Sequence, residues 1–253
     1  MSRIDPQLIP KLKALRLSGI LETLDIRNQQ AIADKQSYTE FLERLLEDEV
    51  ERRANKQLQM RLRRAAFTGD KTLEAYDWSF NPSVNRQQVL DLATCAWLDR
   101  KEVVLMVGPS GVGKSHLAQA LGQEACRRGY HVQFTSVSRM LSQIHGGRAD
   151  GTRDRRIGSF QRPDLLILDD FGLKPLRGQE QEDFYEVINE RYERGSVLVT
   201  SNRDYSEWPD AFTDNPLLAS AALDRLAHRA HLITITGASY RARQKPQLAV
   251  KAD

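Results

Sequence analysis

The chain is short of cysteine, of long apolar runs and of net charge, and each shortage excludes something. Only 2 cysteines, Cys95 and Cys126, occur in 253 residues. They lie far apart in no metal-ligand spacing, which excludes a disulfide scaffold or zinc module and leaves two small apolar residues in a reducing compartment. No charged-then-apolar leader opens the sequence, and no apolar run approaches the roughly 18 residues of a membrane span. A soluble, cytoplasmic protein with no membrane partner is expected. The formal net charge is only +3, so a nucleic-acid partner has to be argued from local charge patterning. Internal repeats and low-complexity tracts are missing too. The length suits one large domain, or a core of about 180 residues with a smaller appendage.

What is present begins with helix. In "SYTEFLERLLEDEVERRANKQLQMRLRRAAF", Ser37 with Glu40 three positions on forms a capping-box pattern. Phe41, Leu42, Leu45, Leu46 and Val50 recur at helical spacing, and Leu58 and Leu62 extend the stripe. An earlier stretch, Leu8 to Ile26, repeats leucines in the same manner, so residues 1–75 are expected to form a small helical domain. Acidic residues open the long helix and basic ones close it, among them Arg52, Arg53, Lys56, Arg61, Arg63 and Arg64. That order suits the helix's own dipole, and it equally suits a basic surface for phosphate backbone. The stretch Thr68 to Arg86 has turn residues and no clean period and is expected to be the linker. Residues 76–253 then alternate apolar runs with helical patterns. Strands are expected at Val103–Val107, Val132–Thr135, Leu165–Leu168, Val197–Thr200 and Leu232–Thr236, with helices such as His116–Arg127 and Glu180–Arg194 between them. This is an α/β protein whose mostly parallel sheet is covered by helices on both faces.

One stretch carries specific chemistry. "GPSGVGKS" comprises Gly108, Pro109, Ser110, Gly111, Val112, Gly113, Lys114 and Ser115, between an expected strand and the helix that His116 continues. In this G-x-x-x-x-G-K-[ST] pattern the glycines let backbone N–H groups curl around phosphate oxygens at a helix N-terminus. Lys114 would reach the β- and γ-phosphates, and the Ser115 hydroxyl would ligate Mg²⁺. "LLILDDFG" supplies the acidic half: Asp169 leaves the end of a buried strand to hold the Mg²⁺ shell, and Asp170 is placed to orient an attacking water. Asn202, at the tip of the next strand, is the first choice to reach the γ-phosphate, with Ser201 and Thr200 as stand-ins. ATP and Mg²⁺ are therefore the expected cofactors.

These motifs, followed by "VLVTSNRDYSEW" and "LDRLAHRAHLITITGASYR" and preceded by the helical stretch, resemble the IstB-type ATPases over nearly the whole chain. That family comprises helper proteins of a bacterial insertion-sequence transposition system. It is similar to the DnaC helicase loaders within the initiator/loader branch of the AAA+ superfamily. The resemblance implies a P-loop AAA+ core with a five-stranded parallel sheet in the order 5-1-4-3-2, and makes Asn202 the sensor residue. It implies an arginine reaching a neighbour's ATP, with Arg225 matching best and Arg229 second, and a nucleotide-proximal or structural role for Arg241. Two departures from the superfamily stand out. The usual Asp-Glu pair is Asp169-Asp170, one methylene shorter, and about 12 residues follow Arg241, too few for the usual helical lid.

The function this implies is an ATP-dependent, oligomeric ATPase with sites shared between subunits. It would act on double-stranded DNA and deliver it to a transposase. Basic residues without acidic ones from Arg225 to Lys251, and the glycine-interrupted "GGRADGTRDRR" with Arg148, Arg153, Arg155 and Arg156, are expected to face phosphates with little sequence preference. Three alternatives remain: a DnaC-like helicase loader preferring single strands, a small-molecule kinase for which no acceptor pocket or lid is visible, and an ATP-switched clamp with negligible turnover.

Overall fold

The computed structural model of the chain describes residues 5–243. Its contacts divide it into two units, Met1–Met60 and Arg61–Asp253.

The first unit is built from α1 (Leu8–Ala14), α2 (Ser18–Ala33) and most of α3 (Tyr38–Ala65). The expected single segment from Leu8 to Ile26 is broken after Leu15, because Arg16 adopts a left-handed conformation (φ 56°). The capping box of α3 forms as its spacing requires. The Glu40 carboxylate accepts from the Ser37 amide at 2.7 Å and the Ser37 hydroxyl accepts from the Glu40 amide at 3.3 Å, an arrangement contributing about 1 kcal/mol. The N-terminus of α2 has no capping side chain of its own. Glu49 of α3 replaces it, accepting from the Gly19 amide at 2.6 Å and the Ile20 amide at 3.4 Å. Arg27 grips Asp48 with two bonds of 2.8 and 2.6 Å and holds its carboxyl at about 2. The expected apolar stripe is only partly used: Leu45 is buried, whereas Leu42, Leu46 and Val50 stay exposed.

The second unit runs through α4 (Arg86–Ala93), α5 (Ala96–Asp99), β1 (Val103–Val107), α6 (Lys114–Arg127), β2 (Val132–Ser136), α7 (Val137–Ala149), α8 (Arg153–Gln161) and β3 (Leu165–Phe171). It continues through α9 (Gln179–Arg191), β4 (Ser196–Ser201), a 3-10 turn (Tyr205–Ala211), α10 (Pro216–Ala227), β5 (Ala230–Thr234) and the short α11 (Tyr240–Arg243). All five strands pair in parallel in the order β2-β3-β4-β1-β5. Taken from the other edge, this is the expected 5-1-4-3-2.

Alternation along the strands sorts the core into layers. Val103, Leu105, Val107, Leu166, Leu168, Val197 and Val199 pack in one cluster with residues of α7, α9 and α10. Residues of opposite parity serve the other face, where a side chain on Gly122 of α6 would meet Ile167 at 2.7 Å. Both faces being covered, the strands can be apolar throughout.

The segment expected to be a linker belongs to the second unit, so the division falls ahead of residue 75. Gln119 accepts from the Thr68 amide at 2.7 Å, Gln123 donates to the Lys71 carbonyl at 3.0 Å, and His116 bonds the Thr72 carbonyl at 2.8 Å. With those backbone groups taken up by α6, the stretch has no need of a regular period.

Helix α9 stops at Arg191 rather than Arg194 because Tyr192 leaves helical geometry (ψ 122°) and Glu193 turns left-handed (φ 59°), and the Arg191 side chain itself turns inward. It is 1% exposed and donates to the carbonyls of Phe160, Gln161, Pro163, Asp164 and Ser196. Burial pushes its pKa down to about 10. The arginine-rich "GGRADGTRDRR" is also more ordered than expected, forming the end of α7, a turn and the start of α8. Arg148 and Arg153 both bond the buried Asp183 at 2.6 Å, and Arg156 bonds Asp150 at 2.7 Å. Arg155 alone of the four is exposed; the other three, half-buried, are held by carboxylates of the chain itself. The stretch after Arg243, including the expected lack of a lid and the basic tail to Lys251, lies outside the described residues.

Candidate functional site

β1 ends at Val107 and the chain turns at once into the loop 108–113, whose shape only glycine tolerates. Gly108 has φ 143°, and a Cβ there would stand 1.9 Å from the Ile235 carbonyl oxygen of the neighbouring chain segment. Gly113 caps α6 at φ 103°, with the Tyr76 ring 2.9 Å from where its Cβ would be. Val112, 1% exposed, anchors the loop to the core. The loop opens on a cavity of about 620 Å³, within the size range of cofactor sites.

The cavity gathers Gly111, Val112, Gly113, Lys114, Ser115, His116, Asp169, Asp170, Asn202 and Arg241 in one place. Lys114 Nζ donates to the Gly108 carbonyl at 2.6 Å, the Pro109 carbonyl at 2.7 Å and Asn202 Oδ1 at 2.7 Å. Three acceptor oxygens thus stand where phosphate oxygens would compete for the same ammonium. Burial lowers the Lys114 pKa, and Asp170 and Asp169 oppose that. Arg241 reaches in from α11 and donates to Ser110 Oγ at 3.1 Å. His116 lines the cavity, but its ring is spoken for by the Thr72 carbonyl and by an edge-on contact with Tyr76 at 5.3 Å.

The two aspartates reach the cavity together because β3 is irregular at its end. Leu168 pairs with Val199 and Phe171 with Ser201, so Asp169 and Asp170 both stand opposite Thr200. The extra residue makes a bulge. Asp170 takes φ 60°, and Phe171 returns to the same core cluster as Leu168. Thr200 closes the bulge: its hydroxyl donates to Asp169 Oδ1 and accepts from the Asp170 amide at 3.1 Å. Asp169 Oδ1 also accepts from Ser115 Oγ at 2.8 Å. This pair of hard oxygens suits Mg²⁺, which takes one or two protein ligands and completes its shell with phosphates and water. Among the described residues no cluster of three or more His, Cys, Asp or Glu could hold a metal ion. Asp170 is open to the cavity, yet the protein crowded around its carboxyl raises its pKa, as does Asp169, against the pull of Lys114 and Arg241.

Two features escaped the sequence. Thr200 appeared only as a stand-in for Asn202, whereas it holds the acidic pair in place. The supposed linker forms a cavity wall with Lys71, Tyr76, Asp77 and Phe80, and Phe80 stacks edge-on against Tyr240 at 4.9 Å. The signal was there: three aromatics in "YDWSF" are out of place in a solvated linker. Replacing Thr200 by Val keeps the shape and removes the hydroxyl, leaving the Asp170 amide unpaired at a cost of about 1–3 kcal/mol. The expected result is a lower melting temperature and a higher Mg²⁺ requirement for turnover, both restored by Thr200→Ser. A wild-type Mg²⁺ titration in Thr200→Val would remove Thr200 from this role.

Arg225 and Arg229 are elsewhere. Both line a small hollow with Val103 and Val197, the first residues of β1 and the second of β4, at the opposite end of the sheet from the loop. Five strand residues separate the two ends by roughly 13 Å. The Arg225 guanidinium lies 5.2 Å over the Tyr185 ring and 5.8 Å from that of Tyr192, and donates to the Ala221 carbonyl at 2.7 Å. Arg229, at φ 53° just before β5, is exposed.

Comparison with known proteins agrees with this geometry. Residues 10–248 match the family described as IstB-like ATP binding protein. The chain is 43% identical to an insertion-sequence ATP-binding protein of Mycobacterium tuberculosis over 97% of its own length and 98% of the relative's. It is 35% identical to the ATP-binding protein of insertion sequence IS21 from Pseudomonas aeruginosa, over 96% and 90%. Among solved structures, the DnaC helicase loader superimposes with a TM-score of 0.57 at 19% identity, covering 65% of this chain and 96% of that one, a likeness of fold. No helix among the described residues is long and apolar enough to cross a membrane. With its phosphate loop, its paired aspartates and its 5-1-4-3-2 strand order, the chain belongs to the IstB-like ATP-binding proteins.

Proposed function

We propose that this protein is a cytoplasmic, Mg²⁺-dependent ATPase that assembles on double-stranded DNA, selects or remodels it as a transposition target, and delivers it to a partner transposase. One observation carries the oligomeric part: Arg225 and Arg229 sit at the far end of the sheet from their own phosphate loop. A triphosphate in the cavity meets Lys114, Asn202 and Arg241 of its own subunit. It gains a further arginine only from a neighbour, and assembly then depends on the γ-phosphate.

The chain's own residues divide the work. Lys114 exchanges the Gly108 and Pro109 carbonyls and Asn202 for β- and γ-phosphate oxygens, which frees Asn202 to sense the γ-phosphate or position water. Asp170, open to the cavity beside Asp169, is placed to accept a hydrogen bond from the attacking water and polarise it. Ser115 and Asp169 would hold Mg²⁺, which when bound neutralises charge developing on the phosphates. The aromatic wall of Tyr76 and Phe80 suits a base ring. The insertion-sequence setting of the relatives supports DNA as the platform and a transposase as the recipient.

The test is sizing and imaging of the full chain with duplex DNA in ATP, in ADP and without nucleotide. Large DNA-bound assemblies in ATP alone are expected. A lone subunit with ATP and duplex both saturating would end this proposal, and a clear preference for single strands would move it to helicase loading.

A further inference from the structure

The sequence left open whether the basic half of α3 serves only its helix dipole. In the structure three of its residues, Arg52, Arg53 and Lys56, join Lys13 and Arg16 around an open hollow of about 690 Å³. The hollow lies wholly within Met1–Met60 and shares no residue with the nucleotide cavity. Five cationic side chains line it against one carboxylate, Glu49.

That carboxylate is already spent. Glu49 is 4% exposed and accepts from the Gly19 and Ile20 amides and from Arg53 Nε at 2.7 Å. Burial alone would raise its pKa, but Arg53 and the two amides outweigh burial and keep it lowered, so it stays ionised and saturated. The cations divide into two groups. Arg52 is fixed by Glu22 at 2.9 Å and by the Ser18 hydroxyl, and Arg53 by Glu49 and the Arg16 carbonyl at 3.2 Å. These contacts lock α3 to the turn between α1 and α2. Lys13, Arg16 and Lys56 are exposed, and their side chains take no part in that lock, to which Arg16 lends only its backbone carbonyl. Arg16 occupies the left-handed position ending α1, where the Leu17 amide closes on the Leu12 carbonyl at 2.9 Å. Glycine is usual there, and any side chain costs about 1 kcal/mol or more.

We propose that this hollow is a second polyanion site, and that it takes the phosphate backbone of duplex DNA. A concavity this wide, lined by cations from two chain segments, three of them exposed, and by Leu12, Leu15 and Leu21, suits successive phosphates and the sugars between them. Nothing in it reads a base edge, so its contribution is independent of sequence and sensitive to salt. The proposal rests on DNA being the platform, and adds that the N-terminal unit grips it directly.

The experiment compares the full-length protein with K13E/R16E/K56E and with the neutral K13Q/R16Q/K56Q, binding a fluorescent duplex of arbitrary sequence at saturating ATP over a salt series. Each lost phosphate contact lowers the slope of log K against log[salt] by about 0.9, so the neutral variant should lose about 2–3 from the slope and the reversed one should bind more weakly still. Binding of a fluorescent ATP analogue, which reads the other unit, should be unchanged in both. Wild-type slope and affinity in the variants would overturn this proposal and leave the broader one standing. Absence of duplex binding by the wild type at every salt concentration would overturn both.

Discussion

Lys114→Ala is expected to abolish ATP-dependent assembly and turnover together while leaving the fold in place. Lys114 is 5% exposed, and its ammonium makes three hydrogen bonds. When ATP binds, two or more of these are exchanged for bonds to anionic phosphate oxygens, in which both partners are charged, each contributing about 1.5–3 kcal/mol. Losing two of them lowers ATP affinity by on the order of 10²–10⁴. Pro109 is exposed and Asn202 lines the cavity, so water can replace the ammonium at two of its three acceptors, and thermal unfolding without nucleotide should move little. Sizing with ATP and duplex reads the loss directly. Assemblies on DNA equal to wild type would refute the coupling of nucleotide to assembly. A large drop in melting temperature would instead mean that Lys114 holds the loop together for structural reasons.

Arg225→Ala is expected to separate the two halves of that coupling. ATP binding should survive, because Arg225 lies at the other end of the sheet from its own cavity. Turnover in the assembly should fall by about 10³–10⁵, the range over which arginine fingers act. Its stacking on Tyr185 and Tyr192 fixes the planar group before any neighbour arrives, which reduces the entropy lost when it engages a phosphate. For the same reason Arg225→Lys should fail to restore turnover, since an ammonium has neither the fork nor the stacking plane. Parallel measurement of Arg229→Ala decides between the two candidates. Exposed Arg229 has no such preorganisation, and a larger loss there than at Arg225 would transfer the role. Equal loss of binding and turnover in Arg225→Ala would show that the substitution damages α10 rather than a neighbour's site.

Mixing the two variants gives a further reading of the shared site. If each triphosphate is sandwiched between subunits, a Lys114→Ala subunit supplies a sound Arg225 and an Arg225→Ala subunit supplies a sound phosphate loop. Mixed assemblies should therefore recover part of the turnover that neither variant has alone.

How much of this could be seen beforehand differs from element to element. Local chemistry was legible. The strand before the phosphate loop was expected at Val103–Val107 and lies there, since five apolar residues ending in a glycine turn leave the backbone few options. The Ser37–Glu40 cap was equally plain. Strand order was not derivable from periodicity and came from the family resemblance, because pairing partners are set by long-range contacts. The internal pairing of the arginine-rich 146–156 stretch was hidden for a related reason. Composition shows the charges but hides the carboxylates of Asp183 and Glu186 that meet them from α9.

By itself the sequence determined the phosphate chemistry: glycines where the backbone must turn left-handed, a lysine and a serine at the helix start, and acids after a buried strand. These are local requirements, satisfied within a few residues of one another. The tertiary structure alone decided that Thr200 clamps both aspartates across the β3 bulge, that Tyr76 and Phe80 wall the cavity, and that Arg225 stands a strand's length from its own site. Each of those depends on segments brought together from distant parts of the chain, and side-chain pairings between such segments follow from packing, which no short window of sequence contains.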